Sequence, residues 1–206
     1  MPFSIWATLL GACLLISFTP GAGAINTMSN SLNAGFRRSI WGVLGQQAAL
    51  VAHLALVAAG LGVLVASSPL AFNVIRYLGA AYLAYLGIRQ FLRKPDVSQE
   101  AAATLENEPW WSMFQRGLWV NLLNPKAIVF FLAFIPGFVR PELPLVNQYL
   151  VIGATIICVD ILVMWFFFAL AARSFQRFTR NESGQRVLNR VFGSLFVGVG
   201  VLLAIV

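Results

Sequence analysis

Hydrophobic residues gather into six long blocks along the chain, and short polar stretches separate them. The blocks run approximately over residues 3–24, 40–66, 71–92, 117–139, 145–172 and 187–206. Each is close to or longer than the ~20 residues with which a helix crosses a hydrocarbon core about 30 Å thick. The pattern therefore predicts an all-α integral membrane protein with six transmembrane helices.

Proline and glycine interrupt two of these blocks. The first block contains "TPGAG" at residues 19–23, and the fourth contains "NPK" at 124–126. Proline removes a backbone donor, and glycine weakens a helix interior. In lipid, such a break is tolerated only where protein or a watery cavity surrounds it. We therefore expect broken first and fourth helices that meet at a cavity, with a proline kink that serves only packing as the alternative.

A short sequence match relates the two halves of the chain. "RYLGAAYL" at 76–83 and "RVFGSLFV" at 190–197 align Arg76 with Arg190 and Gly79 with Gly193. Three helices in each half give the second half the opposite orientation, and such 3+3 inverted repeats are typical of secondary transporters. The prediction is a single domain over 1–206, with halves at about 1–93 and 114–206 joined by a polar loop at 94–113.

The composition supports a membrane protein and predicts its orientation. Hydrophobic residues make up 59% of the chain and charged residues 10%, whereas a soluble domain carries about 25% charged residues. Most basic residues lie in the first, third and fifth connections, namely Arg37, Arg38, Arg89, Arg93, Lys94, Arg116, Arg173, Arg177, Arg180, Arg186 and Arg190. The positive-inside rule assigns these connections to the cytoplasm and both termini to the outside. The net charge of +7 thus reflects topology and attraction to anionic lipid, not nucleic-acid binding.

Charged and titratable side chains inside the blocks are the main candidates for chemistry. Asp160 lies in the middle of the fifth block, where a carboxylate costs about 2.5–3.5 kcal/mol and usually has a function. It is predicted to bind a substrate ammonium or carry a coupling proton, unless it only pairs with Lys126, an amide or a hydroxyl. His53, the only histidine, is predicted to join helices, and a proton relay with Asp160 is the alternative.

Polar residues around the two breaks are predicted to bind or gate a zwitterion. Freed helix carbonyls suit an ammonium group, and a half-helix amino end suits a carboxylate. Lys126 has three open roles: reaching the cytoplasmic headgroups, pairing with Asp160, or binding a substrate carboxylate. Residues 26–33 are expected to line a hydrated path on the cytoplasmic side, and Gln46 is a further candidate. The predicted substrate-binding or gating residues are Thr19, Pro20, Gly21, Gly23, Asn26, Gln47, Asn121, Asn124, Pro125 and Lys126.

The sequence does not favour an enzyme, a metal site or a cofactor. One histidine and two separated cysteines cannot build a closed zinc site, and the chain has no phosphate-binding loop or nucleophile elbow. Cys13 and Cys158 lie inside apolar blocks and are expected to be buried small side chains. A thiol-relay carrier that uses both cysteines and a passive channel with an open pore are the alternative functions.

Four longer stretches of the chain are informative when they are taken together: "PGAGAINTMSNSLNAGFRR", "LGAAYLAYLG", "NLLNPKAIVFFLAFIPGFV" and "RVFGSLFVGVG". In this order they resemble the LysE/RhtB superfamily of bacterial amino-acid exporters. "PGAGAIN", His53 and "VDILVM" are most similar to the branch of homoserine and homoserine lactone efflux proteins. Many relatives carry a second proline and then an acid or amide after "PG", where this chain has Ala22, Gly23 and Ala24. That departure weakens any prediction of lysine or arginine export.

The resemblance implies a carrier in the bacterial inner membrane, a homodimer of six-helix chains that uses the proton gradient. It also implies the direction of transport, from the cytoplasm to the outside. The predicted function is a secondary active exporter of small neutral amino acids or derivatives, such as homoserine, homoserine lactone or threonine-like compounds, by alternating access at a midplane site. The first block is then a retained helix rather than a secretory signal, since no basic residue precedes Arg37.

Overall fold

A computed structural model describes residues 1–92, 108–140, 142–179 and 181–205. Most residues in these ranges are helical, and none of them lies in a strand. The helices are α1 (Phe3–Phe18), α2 (Ala22–Ala34), α3 (Phe36–Ser67), α4 (Pro69–Phe91), α5 (Trp110–Leu122), α6 (Pro125–Val129), α7 (Leu145–Ile161), α8 (Leu170–Thr179) and α9 (Glu182–Ile205). A π-helical stretch at Phe130–Phe134 and a 3₁₀ turn at Ile135–Phe138 continue α6, and a π-helical stretch at Leu162–Ala169 joins α7 to α8.

The first predicted break separates α1 from α2, which lie at 57° to each other. The Thr19 amide ends α1 by bonding to the carbonyls of Leu15 and Ile16, and Pro20 has no amide with which to continue the ladder. Gly21 is extended and precedes the first residue of α2. The polar stretch that follows is therefore a separate helix, and the predicted first block, which ended at residue 24, runs past the actual helix end.

The second predicted break separates α5 from α6, and the two parts lie at 53°. The Asn124 side chain accepts a hydrogen bond of 3.1 Å from the Lys126 amide, and Pro125 occupies the first helical position. An Asn cap followed by proline is a favourable helix start. Both proline signals in the sequence thus mark real breaks.

Three unbroken helical segments are long and apolar enough to cross a membrane: Phe36–Gly60, Leu145–Arg177 and Glu182–Ile205. If each bent pair counts as one span, the number rises to five. Within the part of the chain that the structure describes, up to five of the six predicted spans are thus found by length and composition, and α4 is not among them.

The α4 and α9 helices pack against each other in opposite directions over most of their length. Gly87 of α4 lies against Gly193, and Ala80 lies against Gly200. A Cβ atom added to Gly193 would lie 2.7 Å from the Gly87 carbonyl oxygen, and one added to Gly200 would lie 2.9 Å from that of Ala80. The backbones approach this closely only because neither glycine has a side chain.

The α3 and α5 helices run in the same direction, because Trp41 lies beside Trp110 and Gln46, farther along α3, accepts from Asn121, farther along α5. The two helices cross at glycines. Gly42 contacts the backbone of Gly117, and Gly45 contacts that of Phe114. Earlier along both helices, the Trp41 and Trp110 rings lie 5.1 Å apart. This contact holds α5, the first part of the second broken helix, beside α3.

Several predicted boundaries and burial assignments are wrong. The α5 helix begins at Trp110, so the last four residues of the predicted loop 94–113 are helical, while 94–107 lie outside the described residues, as do Arg93 and Arg180. Cys13 is buried as predicted, but Cys158 is exposed on the outward face of α7. In a membrane protein, a residue of an apolar block can face lipid as readily as it can face protein. The apolar surroundings of Cys158 therefore did not imply that it is buried.

Candidate functional site

A small cavity of about 40 Å³ lies between the two breaks. That volume holds a few water molecules but not an amino acid. The cavity is lined by Ile16, Ser17, Gly23, Ala24, Gln46, Leu50, Asn121, Asn124, Lys126, Ala127, Phe130, Phe131, Ile156, Asp160 and Met164. Both broken helices, α3 and α7 thus contribute to one site.

The Lys126 ammonium occupies the carbonyl end of α1. Its Nζ donates to the Thr19 carbonyl at 2.6 Å and to the Ile16 carbonyl at 3.0 Å. The Ile16 carbonyl belongs to the last turn of α1 and also accepts from the Thr19 amide at 3.2 Å. The Thr19 carbonyl follows that turn, where Pro20 interrupts the helix and the last carbonyls need partners from outside it. Only 8% of Lys126 is exposed, so the predicted reach to the headgroups is wrong. Nor are the freed carbonyls vacant for a substrate ammonium in this conformation, because the chain's own ammonium fills them.

Asp160 has its own polar partners rather than Lys126. The Gln47 amide donates to its Oδ2 at 2.7 Å, and the Ser17 hydroxyl donates to its Oδ1 at 3.3 Å. Among the described residues, no ion pair joins Asp160 to Lys126. The cavity therefore carries one carboxylate and one ammonium that are bound to different groups.

Amide side chains connect α3 to both broken helices beside the cavity. Gln46 donates to the Gly23 carbonyl at 3.1 Å and to the Thr27 hydroxyl at 3.0 Å. Asn121 donates to the Gln46 carbonyl at 3.2 Å and accepts from Asn124 at 3.3 Å. The predicted residues Gly23, Gln46, Asn121 and Asn124 are thus brought together.

Other predicted residues lie at the break or away from the cavity. Pro20 and Gly21 form the turn between α1 and α2, and a Cβ atom added to Gly21 would lie 3.5 Å from Lys126 Cε. Pro125 is exposed and contributes through the start of α6. His53 packs on the Phe131 ring at 5.4 Å between centroids, and its Nδ1 has no hydrogen-bond partner. No hydrogen bond joins His53 to Asp160 in the described part of the chain.

A polar cluster joins α2 to α5 on the side of the molecule that the sequence predicts to be cytoplasmic. Arg116 donates to Asn26 at 3.1 Å, to Asn30, and to both oxygens of Glu108 at 2.8 and 2.7 Å. We call Asn26, Asn30, Glu108 and Arg116 the Arg116 clamp. Asn26 and Asn30 are buried, so the expected hydrated path along α2 is closed here. Their Nδ2 atoms have no partner.

Aromatic rings close the opposite side. Phe130 contacts Phe131 and Phe134 at centroid distances of 5.7 and 5.1 Å, and Phe134 contacts Phe138 at 4.8 Å. All four rings are at most 4% exposed. We call them the phenylalanine cluster. The cavity lies between a polar closure and an apolar one.

Sequence reasoning missed Ser17 and two of the four residues of the Arg116 clamp, Glu108 and Arg116. Ser17 carries a single hydroxyl within the apolar run just before the break, and this isolated polar side chain was a signal that could have identified it. Arg116 was read only as a topology marker, and Glu108 only as part of a solvated loop. Their pairing across eight residues depends on where α5 begins, because that start turns the two side chains toward each other.

A model of the LysE type translocator family matches residues 14–206. The chain belongs to the LysE family. A homoserine/homoserine lactone efflux protein of Salmonella typhimurium is 41% identical over 99% of this chain and 98% of its own length. A leucine efflux protein of Salmonella choleraesuis is 30% identical over 97% and 93%, and an uncharacterized membrane protein of Vibrio cholerae is 37% identical over 99% and 98%. No solved structure matches. The predicted resemblance is confirmed: this LysE chain is a membrane translocator and not an enzyme.

Proposed function

We propose that this LysE protein is a secondary active exporter of small neutral amino acids or derivatives, with homoserine, homoserine lactone and threonine-like compounds as substrates. The observation that carries the proposal is the cavity that Lys126 and Asp160 both line without forming an ion pair with each other. Separate positive and negative groups complement the two charges of a zwitterion. The names of the homoserine/homoserine lactone and leucine efflux relatives support this substrate class.

In the proposed complex, the substrate ammonium binds Asp160 and the amide oxygen of Asn121. The substrate carboxylate binds Lys126, which has three N–H donors and uses two of them on α1 carbonyls. The amino end of α2, which begins just after Gly21, adds a favourable dipole for the carboxylate. Thr19, Pro20 and Pro125 act through the backbone of the breaks, and the site expands to admit the substrate.

Helix packing supports the proposed 3+3 inverted repeat of six spans. The α1 and α7 helices run in the same direction, with Trp6 donating to Thr155 near one end and Ser17 donating to Asp160 near the other. The α5 and α3 helices form the corresponding parallel pair. In the proposed repeat of the halves, about 1–93 and 114–206, α1 corresponds to α5, α3 to α7 and α4 to α9. The α1–α7 pair therefore corresponds to the α5–α3 pair, and the antiparallel α4–α9 pair corresponds to itself. In this proposal α4 is the third span.

Alternating access is proposed to open one closure at a time. The Arg116 clamp faces the cytoplasm and the phenylalanine cluster faces outward, with both termini outside the bacterial inner membrane. The clustering of basic residues supports this orientation. A homodimer is proposed from the resemblance alone, as is the outward direction of transport.

Proton coupling is assigned in the proposal to Asp160, because a buried carboxylate is the usual proton carrier in transporters. His53 stays the second candidate, with a structural role in packing on Phe131 favoured.

The alternative functions, a thiol relay and a passive channel, have less support. A thiol relay needs two accessible thiols near each other, whereas Cys13 is buried and Cys158 is exposed on another helix. A passive channel needs an open pore, whereas this cavity of about 40 Å³ is too small to hold an amino acid.

Uptake of labelled homoserine into inside-out vesicles tests the function. An acid interior is expected to drive accumulation above the external concentration, because protons then leave the vesicle as substrate enters. A protonophore abolishes this accumulation if the exchange is coupled. Flux that runs only downhill and ignores the pH gradient supports the channel, and vesicles that are inert to a broad panel of amino acids contradict the proposal.

A further inference from the structure

The carbonyl oxygens of Ile16 and Thr19 form a binding place for an ammonium group, which we call the carbonyl seat. Lys126 Nζ lies 3.0 and 2.6 Å from these two oxygens. Both belong to the carbonyl end of α1, where partial negative charge favours a cation. Backbone oxygens recognise any primary ammonium, whether it belongs to the chain or to a bound molecule.

The Lys126 side chain also fills the space between the carbonyl seat and the cavity. The cavity is lined by Lys126, Ile16 and Ser17, so the carbonyl seat opens onto the proposed substrate site. Gly21 leaves room for the stem, since a Cβ atom there would lie 3.5 Å from Lys126 Cε and 3.6 Å from Nζ. A substrate side chain of similar reach would end at the same two oxygens if Lys126 were shorter.

We propose that Lys126 determines specificity by filling the carbonyl seat and thereby excluding amino acids that carry a basic side chain. The inference rests on the proposed function and adds a reason for the neutral substrate class. A neutral zwitterion leaves the seat to Lys126. A diamino acid brings a second ammonium group to a site whose carbonyls are already occupied.

Counting charges explains the expected selectivity. With homoserine bound, the site holds Lys126, Asp160 and a zwitterion, and each charge has an opposite partner. A diamino acid adds an unpaired positive charge, which is unfavourable when buried. When Lys126 is replaced by alanine, the diamino acid restores the original charges and supplies the ammonium that the carbonyl seat has lost.

A matched pair of ligands tests this inference. Homoserine and 2,4-diaminobutyrate differ by a hydroxyl in one and an ammonium group in the other. In inside-out vesicles, uptake of each labelled compound is measured for the wild type and for the variants, and each unlabelled compound is also used as a competitor of labelled homoserine. We expect wild type to prefer homoserine, and Lys126→Ala to raise the ratio of 2,4-diaminobutyrate to homoserine uptake by about tenfold or more, equivalent to ~1.4 kcal/mol.

Two control variants separate the carbonyl seat from simple charge repulsion. Lys126→Arg keeps the positive charge, and Lys126→Met keeps the volume of the stem without the charge. Neither is expected to gain 2,4-diaminobutyrate uptake, because neither empties the seat. An equal gain in Lys126→Met and Lys126→Ala overturns the inference, as does a wild type that takes up both compounds equally.

Thermal unfolding of purified protein provides a readout that does not depend on transport. Ethylammonium and 2,4-diaminobutyrate are expected to raise the midpoint of Lys126→Ala and not that of the wild type, since a ligand stabilises only the protein that binds it. No shift in Lys126→Ala overturns the carbonyl seat. A wild type that does not take up homoserine contradicts the proposed function instead, while the ethylammonium shift still tests the seat.

Discussion

At the scale of single residues, the site is built from polar side chains that find partners only across helices. Asp160 and Lys126 are evident in the sequence, because charged residues stand out in apolar blocks. Their hydrogen-bond partners are less evident, since Gln47 and Ser17 precede Asp160 by more than a hundred residues. The carbonyl partners of Lys126 have no side-chain signal at all. Pairing of this kind depends on the packing of α1 and α3 against α7.

Replacing Asp160 by asparagine tests the carboxylate directly. Asp160→Asn keeps the shape of the side chain and removes the negative charge, so the protein is expected to insert normally and lose proton-driven export of homoserine. Accumulation in inside-out vesicles with an acid interior is the measurement. Glu142→Gln, at an exposed acid, is the matched control and should retain export. Normal accumulation by a well-expressed Asp160→Asn removes this residue from the mechanism.

At the scale of helices, proline and glycine determine both the breaks and the closest contacts. The two breaks follow from local chemistry, and for this reason the sequence was sufficient to predict them. The π-helical stretch that begins at Leu162, just after Asp160, had no such signal. A π-helical stretch inserts an extra residue into a helical turn and is common at functional sites. Its position depends on how α7 packs against its neighbours.

Two glycines of α9 make a matched test of helix packing. Gly193 faces α4, where a methyl group would lie 2.7 Å from the Gly87 carbonyl, whereas nothing lies within 4 Å of a methyl group at Gly198. Gly193→Ala is therefore expected to destabilise the protein by about 1–3 kcal/mol through overpacking. Gly198→Ala is expected to be neutral or to stabilise by about 0.5–1 kcal/mol, because alanine favours the helix. Thermal or denaturant unfolding in detergent measures both, and equal effects would contradict the close α4–α9 contact.

At the scale of the whole molecule, the cavity lies between two clusters that are held together by different kinds of interaction. Charged hydrogen bonds hold the Arg116 clamp, and ring contacts hold the phenylalanine cluster. The Glu108 side chain is only 8% exposed, which makes its pairing with Arg116 stronger than an ordinary surface ion pair. The unpartnered Nδ2 atoms of Asn26 and Asn30 reduce the stability of this closed state, since buried donors without acceptors are costly. The two effects oppose each other, as a reversible closure requires.

Weakening the Arg116 clamp is predicted to expose α2 to the cytoplasm. Thr27 is fully buried, so a Thr27→Cys reporter in a Cys13→Ser, Cys158→Ser background should react slowly with a membrane-impermeant maleimide in inside-out vesicles. Adding Glu108→Gln is expected to raise the labelling rate about tenfold, because a hydrogen bond to a charged group contributes ~1.5–3 kcal/mol. Glu182→Gln, which breaks the exposed Arg186–Glu182 pair, is the control. Equal labelling with and without Glu108→Gln would show that the clamp does not control access.

Hydrophobic blocks and proline alone were enough to predict a helical membrane protein, the two broken helices and the buried charged residues at the cavity. These features depend on local chemistry, because a helix in lipid must satisfy its own backbone and an interruption must be sheltered. Only the tertiary structure revealed that Lys126 donates to the carbonyls at the first break and that Arg116 joins Glu108 to the buried amides of α2. It also revealed that Cys158 is exposed at the surface of the protein. Each of these depends on which surfaces of distant helices meet, and the order of residues along one helix carries little information about the partner that will cover it.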